Sequence, residues 1–156
     1  MASPDPAAAH FAGKRPGWFT AHVFNPLVNL IMRSGISLLG SRVLEVRGRS
    51  SGEPRRTPVN LLSIEGARYL VAPRGETQWV RNLRAAGEGR LLLGRRSEQF
   101  SAVELRDEAE KVPILRAYLK RWKAEVGVFF DGVGPDSPEP ELLAAAPKHP
   151  VFKITA

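Results

Sequence analysis

Residues 47–62 read RGRSSGEPRRTPVNLL, and the way this stretch folds decides the architecture. Gly48-Arg49-Ser50-Ser51-Gly52 fits the G-x-S-x-G pattern of a nucleophile elbow, which needs a strand before the serine and a helix directly after it. Here Gly52, Pro54 and Pro58 follow Ser50, so a turn comes next and then the strand-like run RTPVNLLSI (56–64). The elbow also needs an acid and then a histidine downstream. The only later histidine, His149, stands at the edge of a strand expected over 149–154. No Gly-Lys-Ser/Thr follows the glycines, which excludes a phosphate loop of that type. The stretch is a hairpin, with RVLEVRG (42–48) as its first strand.

Working outward, ARYLVAP (67–73) is a third strand after a turn at Glu65-Gly66. TQWVRNLRAA (77–86) reads as a short helix with Trp79 and Leu83 on one face. GRLLLGRR (89–96) and QFSAVELR (99–106) form a second hairpin joined by a short polar turn. Asp107 and Glu110 have the spacing of a helix start, and Pro113 is expected to open the main helix. Ile114, Leu115, Tyr118, Leu119 and Trp122 lie on the inner face of that helix. Residues 131–141 read as a loop and HPVFKI (149–154) as a last strand. Near the N-terminus, Asn25 caps a helix with Pro26 at its first position, ending near Gly35. Successive strands joined by short turns predict an antiparallel sheet, and five or six of them a small barrel. A doubly wound parallel sheet is excluded, because it needs a helix after nearly every strand. The expected class is α+β, mainly β, with helices flanking the barrel.

The chain has 156 residues, enough for one domain. Residues 1–15 are expected to form a disordered tail and 16–156 a single domain. The start lacks the apolar core of a signal peptide, which points to a cytoplasmic protein. Residues 16–39 carry one charge, Arg33, but polar and proline interruptions make them too short for a membrane span. They are expected to pack on the core, with weak contact to a membrane surface as the sharper alternative. There are no cysteines, and His10, His22 and His149 are scattered, so no metal site is expected.

The net charge of +7 is concentrated. Residues 42–96 hold twelve basic and five acidic residues, and the rest of the chain holds eleven of each. All twelve are arginines, whose planar fork suits phosphate and carboxylate. Lysine is missing from the window and Trp79 is its one tryptophan, so a compact anionic ligand fits better than nucleic acid. Around the first hairpin turn, Arg49, Ser50, Ser51, Arg55 and nearby backbone N–H groups can converge on an anion. A second cluster lies in APRGETQWVRNLRAAG. Gly75 there permits close backbone approach, Thr77 opens a helix and Trp79 supplies a flat ring. The two clusters suit a ligand with an anionic tail and an aromatic head.

RGRSSGEPRRTPV, YLVAPRGETQWVRNLRAAG, LRAYLKRW and APKHPVFKI together resemble the deazaflavin-dependent nitroreductase family over roughly residues 20–155. The resemblance implies a split β-barrel of the FMN-binding type. It also implies coenzyme F420, an 8-hydroxy-5-deazaflavin with a phospholactyl and polyglutamate tail. By motif, Arg49, Ser50, Ser51, Arg55 and Thr57 would hold the phosphate and tail. Pro58, Val59, Ala72, Arg74, Gly75 and Thr77 would lie along the deazaflavin, and Trp79, Asn82 and Leu83 would complete the far wall. Two features depart from the nitroreductases. Residues 126–134 read VGVFFDGVG with no tyrosine after Tyr118, and Ser50 stands where a basic residue is common. Both bear on nitro reduction and leave cofactor binding untouched.

The implied function is hydride transfer from reduced deazaflavin to a small electron-poor acceptor, such as a quinone, an activated C=C bond or a nitro compound. The cofactor carries the chemistry, so no obligatory catalytic side chain is expected. Phe24, Leu27, Ile31, Phe129 and Phe130 are the apolar candidates to roof the acceptor site. A homodimer is expected. The alternatives are a non-catalytic F420 carrier and a basic module for RNA or anionic membrane.

Overall fold

A computed structural model describes residues 40–156. Strands β1 (Ser41–Arg47), β2 (Pro54–Ile64) and β3 (Ala67–Val71) lead into helix α1 (Gln78–Ala86). Strands β4 (Glu88–Leu93) and β5 (Arg96–Glu104), helices α2 (Glu108–Val126) and α3 (Glu139–Ala145), and strand β6 (Val151–Thr155) follow. The strands close into an antiparallel barrel in the order β1-β2-β3-β6-β5-β4, with β1 pairing β4 to shut it. The expected 25–35 helix, the tail, and Phe24, Leu27 and Ile31 lie outside the described residues.

Burial on both faces of some strands sets the layers. Leu61, Leu70 and Phe152 fill the barrel interior with Leu44, Val46, Leu91, Phe100 and Ile154, and Val80 and Leu83 of α1 pack into the same core. The next residue along β2 and β3 and the preceding one on β6, namely Leu62, Val71 and Val151, point the opposite way. They pack beneath α2 and α3 against Leu115, Tyr118, Leu119, Trp122 and Leu142. The barrel is therefore covered by helices on its β2-β3-β6 side. Between those layers the Tyr118 hydroxyl, fully buried, bonds to the side chain of Asn60 on β2.

Three local expectations need correction. Helix α2 begins at Glu108, with the Asp107 carboxylate accepting the Ala109 N–H at 3.0 Å; Pro113 sits inside the helix and does not open it. The cap satisfies an otherwise orphaned donor, and the buried Val112, Ile114 and Leu115 on either side of the proline anchor the helix through it. The β4–β5 turn falls at Gly94-Arg95, closed by the Leu93–Arg96 pair, and not at residues 97–98. Finally, residues 139–145 form α3, whose Leu142 and Ala145 are buried; Pro138 and Pro140 obscured it, although proline is well suited to a helix start. None of the described helices is long and apolar enough to cross a membrane.

Candidate active site

The first hairpin and α1 meet at one end of the barrel. At the β1–β2 turn, the Gly48 N–H donates to the Glu53 carbonyl at 2.8 Å and the Gly52 N–H to the Gly48 carbonyl at 2.9 Å. Gly52 has φ +76°, a left-handed conformation that a side chain would strain. The Ser51 hydroxyl accepts the Glu53 N–H at 3.1 Å, which leaves its own hydrogen free to donate. Across from this turn, the buried Asn82 carboxamide oxygen accepts both the Arg49 backbone N–H at 3.1 Å and the Arg49 guanidinium at 2.8 Å.

Turn and helix enclose a cavity of about 620 Å³, within the range of small-molecule sites. Its lining includes Arg49, Ser50, Ser51, Arg55, Thr57, Arg74, Thr77, Trp79 and Asn82 from the expected set. Val46, Gly48, Arg56 and Gln78 line it as well. Gln78 was legible in principle, because it stands four residues before Asn82 on the same helix face. Among the described residues, four arginines and no carboxylate line the cavity.

The remaining expected residues lie around it. Thr57 pairs with Leu44, an interior residue, so strand alternation turns Pro58 to the outer face, against Val43. Val59 returns to the inner side and packs on the interior core. Ala72 and Leu83 are buried in that core, behind the cavity wall. Gly75 has φ +81°, and a Cβ there would come within 3.1 Å of the Lys148 carbonyl, so glycine is needed for the β3–α1 loop to seat on the chain before β6. On the C-terminal side, Phe129 is half-buried, with the Arg74 guanidinium 5.7 Å from its ring centroid. Phe130 does not roof the cavity. It is 1% exposed in the layer under α2, stacked on His149 with ring centroids 3.9 Å apart.

The charges around the cavity are unevenly committed. Arg56 is neutralised by Glu45 at 2.8 Å, while Arg68 pairs with Glu98, and Arg84 with Glu76 and Glu104, away from the cavity. Partial burial pushes the Arg74 guanidinium below its ordinary pKa. Thr77 precedes α1 but does not cap it, and its buried hydroxyl has no hydrogen-bond partner among the described residues. Behind the cavity, Trp79 packs against Phe152 at 6.0 Å between centroids. The site thus places several arginines, Arg49 among them held only by neutral amides, beside one flat ring. Among the described residues, no cluster of three His, Asp or Glu side chains is arranged to hold a metal.

A family model for F420-H(2)-dependent quinone reductases matches residues 33–131. The chain belongs to this family. It is therefore an F420-H(2)-dependent reductase, and its cofactor is coenzyme F420. No curated protein matches the chain. Three solved structures share the fold of the reductase. An F420-H(2)-dependent reductase is 19% identical with TM-score 0.51, covering 74% of this chain and 94% of its own. A conserved hypothetical protein of Mycobacterium tuberculosis is 19% identical with TM-score 0.53, over 82% and 78%. A protein described as a domain-swapped dimer is 17% identical with TM-score 0.53, over 83% and 94%.

Proposed function

We propose that this reductase binds F420 in the cavity between the β1–β2 turn and α1, and passes hydride to a quinone-like acceptor. The observation that carries the reading is the lining: Arg49, Arg55 and Arg74, with no carboxylate among the described lining residues, beside an indole and a buried hydroxyl that lacks a partner among the described residues. Such a set suits a phosphate-bearing, planar cofactor. Arg55 and the Ser50 and Ser51 hydroxyls hold the phosphate and tail at the turn, where all three are exposed to the cavity mouth. Val46, Thr57 and Trp79 would form the wall for the ring, and the Thr77 hydroxyl would be available to hydrogen-bond it.

When bound and reduced, the deazaflavin supplies the hydride. The chain's own contribution is orientation and electrostatics. Trp79 is braced from behind by Phe152, so it keeps its plane as a ligand enters. Arg74, packed over Phe129, brings positive charge to the side of the cavity away from the turn, where it can stabilise negative charge developing on a reduced acceptor. A quinone is the acceptor class we favour, since its carbonyl oxygens gain that charge. The assembly we propose is a homodimer, supported by a relative of the same fold described as a domain-swapped dimer.

The test is a fluorescence titration with F420 and with FMN, followed by anaerobic oxidation of F420-H(2) with a quinone, an activated enone and a nitroarene. F420 should bind at least about tenfold tighter than FMN, and Arg55→Ala should cost ~1.5–3 kcal/mol of F420 affinity. Equal or tighter FMN binding overturns the cofactor assignment. Tight F420 binding without turnover of any acceptor makes the protein a carrier.

A further inference from the structure

Among the described residues, Arg49 is held in a chemically different way from the arginines that pair with carboxylates. Arg56, Arg68 and Arg84 are held by carboxylates, at 2.8, 2.6 and 2.7–2.8 Å, so their charges are cancelled where they sit. Arg49 is held instead by two neutral amides. Its Nη1 donates to the Asn82 Oδ1 at 2.8 Å and to the Gln78 Oε1 at 2.9 Å, and its backbone N–H donates to the same Asn82 oxygen at 3.1 Å. Because both groups reaching Asn82 are donors, its oxygen must face the turn. Asn82 is 5% exposed and sits on α1 between the core residues Val80 and Leu83, so it moves only with the helix.

We infer that Asn82, assisted by Gln78, is a positioning residue. It aims Arg49 and fastens the β1–β2 turn to α1 while leaving the guanidinium charge uncancelled for the anionic part of the cofactor. A carboxylate at either position would hold Arg49 more strongly but would cancel the charge the ligand needs. Preorganisation and net charge are thus supplied separately, and only an amide supplies both. This role rests on F420 being bound in this cavity. It differs from a wall residue that touches the ring, because Asn82 acts through Arg49.

The test compares wild type, Asn82→Asp and Gln78→Glu as full-length proteins. Gln78 is exposed, so the second substitution cannot act by disturbing the core. Affinity is measured by fluorescence titration at several salt concentrations for F420 and for the tail-free deazaflavin riboside. Each acidic variant should bind F420 roughly tenfold more weakly, with a flatter dependence on salt because one attractive charge has been lost. Binding of the riboside should change by less than about twofold, as it carries no anionic tail. A purely structural role predicts the reverse, since a carboxylate keeps or strengthens the hold on Arg49. Variants that bind F420 as tightly as wild type, or that lose both ligands equally, overturn the inference. Failure of the wild type to bind F420 here would instead remove the reading on which it rests.

Discussion

Thr77→Val should make the protein more stable and the cofactor site worse. The Thr77 hydroxyl is buried, has no partner among the described residues and does not cap α1. In the ligand-free protein it contributes only desolvation, and a buried unsatisfied hydroxyl costs about 1–3 kcal/mol. Valine has nearly the same shape, and the backbone at φ −97°, ψ 178° is extended, which a β-branched residue accepts. The substitution should therefore raise unfolding free energy by about 1 kcal/mol, which for a domain of this size is a rise of ~2–4 °C in melting temperature. With F420 present the sign reverses. If the hydroxyl bonds to the cofactor, valine should weaken binding by ~0.5–1.5 kcal/mol, or about two- to twelvefold. Thermal melts without ligand, together with fluorescence titration, measure both effects. A lower melting temperature refutes the claim that the hydroxyl is unsatisfied. A higher one with unchanged F420 affinity refutes its part in the site.

Two other outcomes follow from the buried layer under α2. Phe130→Ala removes a ring packed between His149 and Tyr118 and should cost ~3–5 kcal/mol in urea unfolding; a loss under about 1 kcal/mol with altered acceptor preference would restore Phe130 to the acceptor site. The His149 imidazole is held below its ordinary pKa, chiefly by burial. The unfolded chain then binds the proton more readily than the native one, so stability is full above pH ~6.5 and falls as the pH drops through and below that value. Urea midpoints at pH 7.5 and 5.5 should show this decline in wild type and lose it in His149→Gln; equal declines in both would assign it to other groups.

Much of the fold was legible because strands and turns announce themselves locally. Proline and glycine after Ser50 ruled out a helix there, and the hairpins β1–β2, β2–β3 and β4–β5 required little more than turn chemistry. The β3–β6, β5–β6 and β1–β4 pairs that close the barrel, by contrast, join strands far apart in sequence. What local signals missed were competitions. Asp107 and Pro113 both offered to start α2, and the choice depends on which backbone groups find partners. Helix α3 was hidden by prolines that only the packing of Leu142 shows to be helical.

The site was legible by residue type and only partly by direction. Arginine in place of lysine, serines at a turn and a tryptophan beside a helix start point by themselves to an anionic, aromatic ligand. Which of those arginines line the cavity, and which are held by Glu45, Glu98, Glu76 and Glu104, depends on contacts a linear reading does not show, and Arg56 does both. Pro58 and Thr57 are neighbours in the chain, yet the barrel turns one inward and the other out. Phe129 and Phe130 are equally apolar, but one packs on Arg74 at the cavity side and the other stacks on His149 in the core. By itself the sequence determined the chemistry on offer, because side-chain type is independent of context. Only the tertiary structure decided where that chemistry points, because direction follows from strand register and from long-range contacts that a linear reading does not contain.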